Sequence, residues 1–132
     1  MPPAGRYLLD TNILIALIAG EVSVTQAVAG APAVFVPAIA LGELYYGARK
    51  SARPGQTLQI IERLGASAAV LSCGAETAQR YGALKARLRA SGTPLPENDL
   101  WIAALALEHD LTLVTRDAHF ALVPEISTVT WV

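Results

Sequence analysis

The sequence predicts an α/β fold with a mainly parallel sheet, because short apolar segments alternate along the chain with longer segments of helical periodicity. Such alternation is typical of parallel strands that are joined by right-handed helical crossovers. The chain has 132 residues, which is an ordinary length for one domain. We therefore expect residues 1–132 to form a single domain around one sheet.

The first half of the chain is expected to contain two strands and four helices. Residues 7–9 and 34–36 are short apolar segments that end at Asp10 and Pro37, and both are typical of buried strands. Glycine, proline and polar clusters mark the ends of the helices. The predicted helices are residues 12–19, 24–29, 38–50 and 56–64, the last after a turn at 53–55.

The second half is expected to contain three strands and two helices. The strands are residues 69–71 and 111–115, with a weak one at 127–132. Residues 75–90 predict an amphipathic helix with basic residues on its exposed side. Residues 97–109 predict a helix that is apolar nearly all round, and such a helix is usually buried on both sides. Cys73 is expected to be a small buried hydrophobic residue.

The composition is apolar for a protein of this size. Hydrophobic residues make up 53% of the chain and charged residues 16%, which indicates that some apolar surface contacts a partner. No apolar run approaches the roughly 18 residues of a membrane span, and residues 13–19 lack the basic segment that precedes the apolar core of a signal peptide. The single cysteine excludes an intrachain disulfide. We expect a cytoplasmic protein without membrane association.

The basic residues are unevenly distributed, although the net charge is only −1. Eight of the ten lie between residues 49 and 89, where Glu62 and Glu76 are the only acids. This distribution is compatible with a basic face for nucleic acid, and equally with ordinary solvated helix surfaces. The amphipathic helix contributes Arg80, Lys85, Arg87 and Arg89.

Four acidic residues lie where an α/β fold can place functional groups. Sites in open parallel sheets form outside the carboxyl ends of the strands. Each acid also has a structural interpretation, as a helix cap, a favourable charge at a helix N-terminus, a turn residue or a surface residue. Their joint placement favours one shared site. The four are Asp10 after the first strand, Glu43 within an apolar helix, Asp99 in the first turn of the most apolar helix, and Asp117 after the fourth strand.

Four converging carboxylates would need a counter-charge. Two of them about 4 Å apart repel by about 4 kcal/mol at an effective dielectric constant of about 20. Oxygen ligands suit Mg²⁺ or Mn²⁺, and a pair of such ions stabilises the attacking and leaving oxygens of a phosphodiester displacement. His109 and His119 are isolated in the sequence, which therefore offers no zinc-binding cluster. A Gly-Xaa-Ser-Xaa-Gly elbow and a glycine-rich phosphate loop are also absent from it.

The acids lie in four characteristic segments. These are Tyr-Leu-Leu-Asp-Thr-Asn-Ile-Leu-Ile at 7–15, Leu-Gly-Glu-Leu-Tyr-Tyr-Gly at 41–47, Glu-Asn-Asp-Leu-Trp-Ile-Ala-Ala at 97–104 and Leu-Val-Thr-Arg-Asp-Ala-His-Phe at 113–120. In order and spacing they resemble the PIN-domain family. The resemblance implies a three-layer α/β/α fold with a mainly parallel sheet of about five strands. It also implies an endoribonuclease that depends on Mg²⁺ or Mn²⁺.

The resemblance assigns roles to individual residues. It implies that Asn12 orients the first acid and that Thr115 orients the fourth. Asp117 matches the most variable acid of the family. The catalytic residues, which bind metal directly or through water, would be Asp10, Glu43, Asp99 and Asp117.

The segment at 41–47 and the compact length favour the VapC-type toxin branch of type II toxin–antitoxin systems. This branch implies an RNA substrate, a homodimer and inhibition by a cognate antitoxin. A basic residue of the antitoxin is expected to enter the acidic pocket. The alternatives are a PIN-type nuclease that processes RNA or acts on DNA, and a non-catalytic nucleic-acid-binding module. The residues expected to hold the RNA backbone are Arg80, Lys85, Arg87 and Arg89.

Overall fold

A computed structural model describes residues 5–132, and its central feature is a sheet of five strands. The strands are β1 (Arg6–Leu9), β2 (Ala33–Pro37), β3 (Ala69–Leu71), β4 (Thr112–Val114) and β5 (Thr128–Val129). They are hydrogen-bonded in the order β3-β2-β1-β4-β5, and every neighbouring pair is parallel. The predicted parallel sheet is therefore confirmed.

Six α-helices are present in the described part of the chain, together with a 3₁₀-helix at Ala118–Leu122. The α-helices are α1 (Thr11–Ile18), α2 (Val22–Gly30), α3 (Ala38–Arg49), α4 (Pro54–Ser67), α5 (Ala75–Ala90) and α6 (Glu97–His109).

The helices cover both faces of the sheet, which gives the predicted three layers. Side chains alternate between the two faces of a strand, so neighbouring residues enter different cores. Leu8 and Leu113 pack with buried residues of α5 and α6 on one face. Leu9 and Val114 pack on the other face with residues of α1, α2, α3 and α4. The two central strands are thus buried on both sides, as is typical of parallel sheets.

The order of the strands reverses beside β1. From β1 the chain proceeds outward to β2 and β3 on one side, and then returns to the other side to form β4 and β5. The backbone N–H of Asp10 donates to the carbonyl oxygen of Val114 at 3.0 Å, so the ends of β1 and β4 lie next to each other. Such a switch point leaves a crevice at the carboxyl ends of the strands, where α/β folds place their sites.

Several element boundaries differ from the sequence prediction. Helix α4 begins at Pro54 rather than after a turn at 53–55, because proline is well suited to the first position of a helix, where no N–H is required. It also continues to Ser67 rather than residue 64, and α2 is longer than residues 24–29. Strand β5 contains only Thr128 and Val129. The 3₁₀-helix after β4 was not predicted.

The prediction of a buried Cys73 is wrong. Cys73 lies between β3 and α5, and its side chain is exposed because neither core reaches this connection.

The two most apolar regions differ in their surroundings. In α6, Leu100 and residues 102–106 are all buried, as predicted for this helix. Helices α1 and α2 leave Ile15 and Val22 more than half exposed. Within residues 5–132, no single helix has both the length and the apolar character of a membrane span. Helices α1 and α2 together have this length and character, but the pair is bent by 105°.

Candidate active site

Asp10 is a buried carboxylate at the carboxyl end of β1. Only 4% of the residue is exposed. Its Oδ1 accepts a hydrogen bond from the backbone N–H of Thr11 at 2.9 Å, so Asp10 does cap α1. Its Oδ2 accepts from the hydroxyl of Thr115 at 2.7 Å. Burial raises the pKa of Asp10 above its usual range, these two hydrogen bonds oppose the increase, and the charge of Asp117 adds to it.

Thr115 connects the first and fourth acids of the predicted set. Its buried hydroxyl donates to Asp10 and accepts from the backbone N–H of Asp117 at 3.0 Å. Asn12 contributes nearby, because its Oδ1 accepts from the backbone N–H of Arg116 at 3.3 Å. Both polar residues therefore hydrogen-bond to the backbone at residues 116–117, and Thr115 also hydrogen-bonds to the carboxylate of Asp10.

Asp99 lies in the first turn of α6 and faces the other acids. Its pKa is raised to about 6, chiefly by burial, and further by the negative charges of Asp10, Asp117 and Glu43. Asp99, Asp117 and His119 each offer one potential ligand atom, and these three atoms lie within 4.8 Å of one another. The charges of the other three predicted acids thus all act on Asp99.

His119 is a member of this group that the sequence interpretation left isolated. Asp117 caps the 3₁₀-helix by accepting from the backbone N–H of His119 at 2.9 Å. The ring Nδ1 of His119 lies 2.9 Å from the same carboxylate oxygen. A ligating histidine commonly directs its second ring nitrogen at a carboxylate. The Asp-Xaa-His spacing at 117–119 was the signal in the sequence.

Glu43 reaches the site from α3, on the other side of the crevice. It is half-buried, and its Oε1 accepts from the hydroxyl of Thr11 at 2.9 Å. Thr11 directly follows Asp10, so this hydrogen bond connects Glu43 to the end of β1. Sequence reasoning did not identify Thr11, whose contact with Glu43 joins residues 32 apart.

The basic residues of α5 are partly neutralised by carboxylates. Lys85 pairs with Glu97 of α6, and Arg87 pairs with Glu125. Arg80 is exposed, as is Arg89. The structure places all four of the predicted cations on α5, and two of them have an acidic partner.

An apolar groove of about 200 Å³ adjoins the acids between α1, α3 and α4. Thr11 and Glu43 lie at its acidic end, and Ile15 and Ile18 supply apolar side chains. Ile15 is 55% exposed, which is unusual for a large apolar residue. The site therefore combines a carboxylate cluster with a neighbouring apolar surface.

Residues 7–126 match the family described as PIN domain. The chain belongs to the PIN-domain family. Among its relatives, a Ribonuclease VapC2 from Haemophilus influenzae is 34% identical over 130 residues, which cover 96% of this chain and 98% of the relative. A tRNA(fMet)-specific endonuclease VapC from Shigella flexneri is 32% identical over 129 residues, with the same coverage. These relatives place the chain in the VapC branch of the family.

Solved structures agree with this assignment. The PIN domain superposes on DNA-bound VapBC from Salmonella typhimurium with a TM-score of 0.89 and 29% identity, covering 96% of this chain and 98% of that one. VapBC-1 from nontypeable Haemophilus influenzae gives a TM-score of 0.85 and 30% identity, covering 95% and 97%. The three-layer fold is therefore that of known VapC structures.

The raised pKa of Asp99 predicts how the stability of the metal-free PIN domain depends on pH. A carboxyl with a folded-state pKa of about 6 binds its proton more tightly when folded than when unfolded. The contribution of this proton to the free energy of unfolding is therefore fully present below the unfolded pKa, and it is lost as pH rises through the folded pKa of about 6. We expect the urea midpoint in EDTA to fall between about pH 4 and 7, and this carboxyl to add no further change at higher pH. Asp99→Asn should flatten this fall, and an equally steep fall in that variant would contradict the assignment.

Proposed function

We propose that this PIN domain is a divalent-metal-dependent endoribonuclease and the toxin of a type II toxin–antitoxin pair. The observation that carries the proposal is that Asp99, Asp117 and His119 offer ligand atoms within 4.8 Å of one another at the switch point of the sheet. Thr115 connects Asp10 to Asp117 at the same place. The names of the VapC relatives, which are ribonucleases and a transfer-RNA endonuclease, support the same reaction.

The donor set is suited to a hard divalent cation. Carboxylate oxygens are preferred by Mg²⁺ and Mn²⁺, and Asp10, Glu43, Asp99 and Asp117 would hold the metal directly or through water. Burial and mutual repulsion favour protonation of Asp10 and Asp99 without metal, so a bound cation would relieve the same repulsion. His119 could add a nitrogen ligand beside Asp117, which would favour Mn²⁺ over Mg²⁺.

A bound divalent cation would supply positive charge for the phosphodiester and for the attacking and leaving oxygens. The protein's own residues position the ligands. Thr115 fixes the position of Asp10 relative to the backbone at Asp117, and Thr11 restrains Glu43 through a hydrogen bond. The four carboxylates would repel RNA phosphates if no cation were bound, so RNA binding and metal binding should support each other.

The proposed protein partner is a cognate antitoxin. The solved relatives include a toxin–antitoxin complex from Klebsiella pneumoniae and a member of the VapBC family of toxin–antitoxin systems from Mycobacterium tuberculosis. The apolar groove next to Glu43 is suited to an apolar antitoxin segment, and a cation of that segment would neutralise the acids. A homodimer would cover further apolar surface, such as Val22, which is 66% exposed.

The cations of α5 remain proposed contacts for the RNA backbone. Lys85 and Arg89 are four residues apart and share a helix face. Because Lys85 pairs with Glu97, RNA would have to compete with that carboxylate. The proposed backbone contacts are Arg80, Lys85, Arg87 and Arg89.

The proposal is tested with the purified chain and a panel of RNAs. We expect cleavage with Mn²⁺ or Mg²⁺, no cleavage in EDTA, and recovery when metal is restored in excess. Asp99→Asn, purified in the same way, controls for contaminating ribonucleases. Expression alone should slow growth, and co-expression with the cognate antitoxin should restore it. Undiminished cleavage in EDTA would refute metal dependence, and normal growth with no partner would refute the toxin role.

A further inference from the structure

Helix α3 presents an exposed aromatic ring one turn away from Glu43. Tyr46 is 66% exposed, which is high for a large side chain in an ordered helix. Glu43 and Tyr46 are three residues apart, so they share a helix face, and their rise along the axis is about 4.5 Å. Tyr46 therefore lies one helical turn from Glu43, on the same face of α3.

A cation accompanies this ring. The Nζ of Lys50 lies 4.3 Å from the centroid of the Tyr46 ring, in a cation–π contact. Lys50 follows Tyr46 by four residues, so Glu43, Tyr46 and Lys50 form a row along one face of the helix. Apart from its two chain neighbours and the backbone of α3 itself, nothing lies within 4 Å of where a Cβ would stand at Gly47 on the same face. The row is thus open to a ligand.

The end of this row that is farther from Glu43 carries several positive charges. Arg49, Lys50 and Arg53 are exposed. None of the three makes an ion pair with a carboxylate in residues 5–132. The α5 cations Lys85 and Arg87, in contrast, are paired. The free positive charge nearest to Glu43 along α3 is therefore at the end of that helix.

We infer that Tyr46 stacks on a nucleobase next to the scissile phosphate and that Lys50 holds a neighbouring phosphate of a single-stranded RNA. Single-stranded RNA is recognised through bases stacked on aromatic rings and through cations along its backbone, and the row supplies both. The acids cannot attract phosphates themselves, so a binding surface has to adjoin them. This inference rests on the proposed ribonuclease activity and names the substrate contact that the acids lack.

The test measures RNA binding separately from cleavage. A short fluorescein-labelled single-stranded RNA is titrated in an Asp99→Asn background, where the RNA stays intact. Adding Tyr46→Ala should weaken binding by about tenfold or more, whereas Tyr46→Phe should retain it because the ring is kept. Lys50→Ala should weaken binding and reduce the slope of log affinity against log salt by about 0.7. Arg63→Ala removes an exposed cation from α4 and should change affinity little.

A second readout locates the stacked base. With 2-aminopurine at successive positions of the RNA, fluorescence should be quenched at one position by the chains with Tyr or Phe at residue 46, and Tyr46→Ala should abolish this quenching. An abasic site at that position should weaken binding as much as Tyr46→Ala, and combining the two should add nothing. Equal affinity and equal quenching in Tyr46→Ala would overturn the inference.

The two proposals fail in different ways. If the unsubstituted chain cleaves RNA with Mn²⁺ while Tyr46→Ala binds RNA normally, the inference is wrong and the proposed function stands. If the unsubstituted chain neither binds nor cleaves RNA, both are wrong. If Tyr46→Ala weakens only association with the cognate antitoxin, the ring belongs to the protein partner and the inference is wrong.

Discussion

Replacing Asp99 with Asn should lower RNA cleavage by about 10³-fold or more while the metal-free protein remains at least as stable. The loss is expected because Asp99 supplies a charged ligand at the centre of the proposed metal site. The stability is expected because this carboxylate is repelled by Asp10, Asp117 and Glu43, and the substitution removes that repulsion near neutral pH. Cleavage rates in Mn²⁺ and urea unfolding in EDTA measure the two effects.

Glu97→Gln is the matched control for this variant. Glu97 lies in the same first turn of α6, but it is exposed and pairs with Lys85 instead of facing the acids. Its removal should leave the cleavage rate within a few-fold of the unsubstituted chain, since exposed ion pairs contribute little. Comparable losses in Glu97→Gln and Asp99→Asn would mean that charge at the start of α6, rather than a metal ligand, matters for activity.

Thr115→Val should destabilise the protein by roughly 1–3 kcal/mol, the usual effect of leaving buried polar groups without partners. Valine has nearly the same shape but removes the donor to Asp10 and the acceptor for the Asp117 N–H. Cleavage should fall by about 10- to 100-fold, because both carboxylates lose their orienting contact. The stability loss should grow as pH rises, since the hydroxyl donates to the ionised form of Asp10.

Thr115→Ser tests whether the hydroxyl or the packing is responsible. Serine keeps the oxygen and loses one methyl group, so we expect most of the activity to return with a small loss of stability. Urea unfolding at two pH values and cleavage at saturating Mn²⁺ separate the two contributions. Poor activity in Thr115→Ser with full activity in Thr115→Val would show that the methyl group, not the hydroxyl, positions the site.

The fold was predictable because its signals are local. Apolar runs that end at Asp10 and Pro37 mark the strands, and the periodicity of residues 97–109 marks the buried helix. The start of α4 was predicted wrongly because Pro54 is equally suited to a turn and to the first position of a helix. Cys73 was predicted to be buried from its residue type, but its place in a connection decided its exposure.

Of the candidate site, the residue pattern itself indicated only the acidic residues. The sequence predicts that Asp10 and Asp117 follow strands, that Asp99 lies at a helix start and that Glu43 lies within a helix. Their hydrogen-bond partners, in contrast, depend on contacts between distant segments. Thr11 donates a hydrogen bond to Glu43, which is 32 residues away in the chain, and Arg87 donates one to Glu125, which is 38 residues away. The sequence shows the spacing of His119 from Asp117, but the proximity of His119 to Asp99 arises only when α6 and the 3₁₀-helix come together.

The hydrogen bond from Thr115 to Asp10 joins residues that are 105 positions apart, and it has a consequence for the synthesis of the chain. Strand β1 is synthesised before its neighbour β4 and before the last of the four acids, because all of α1–α6 lie between the two strands in the chain. A growing chain therefore carries Asp10 and Glu43 without the residues that complete the crevice. If the protein cleaves RNA as proposed, a growing chain gains this activity only after β4 has been synthesised and has paired with β1.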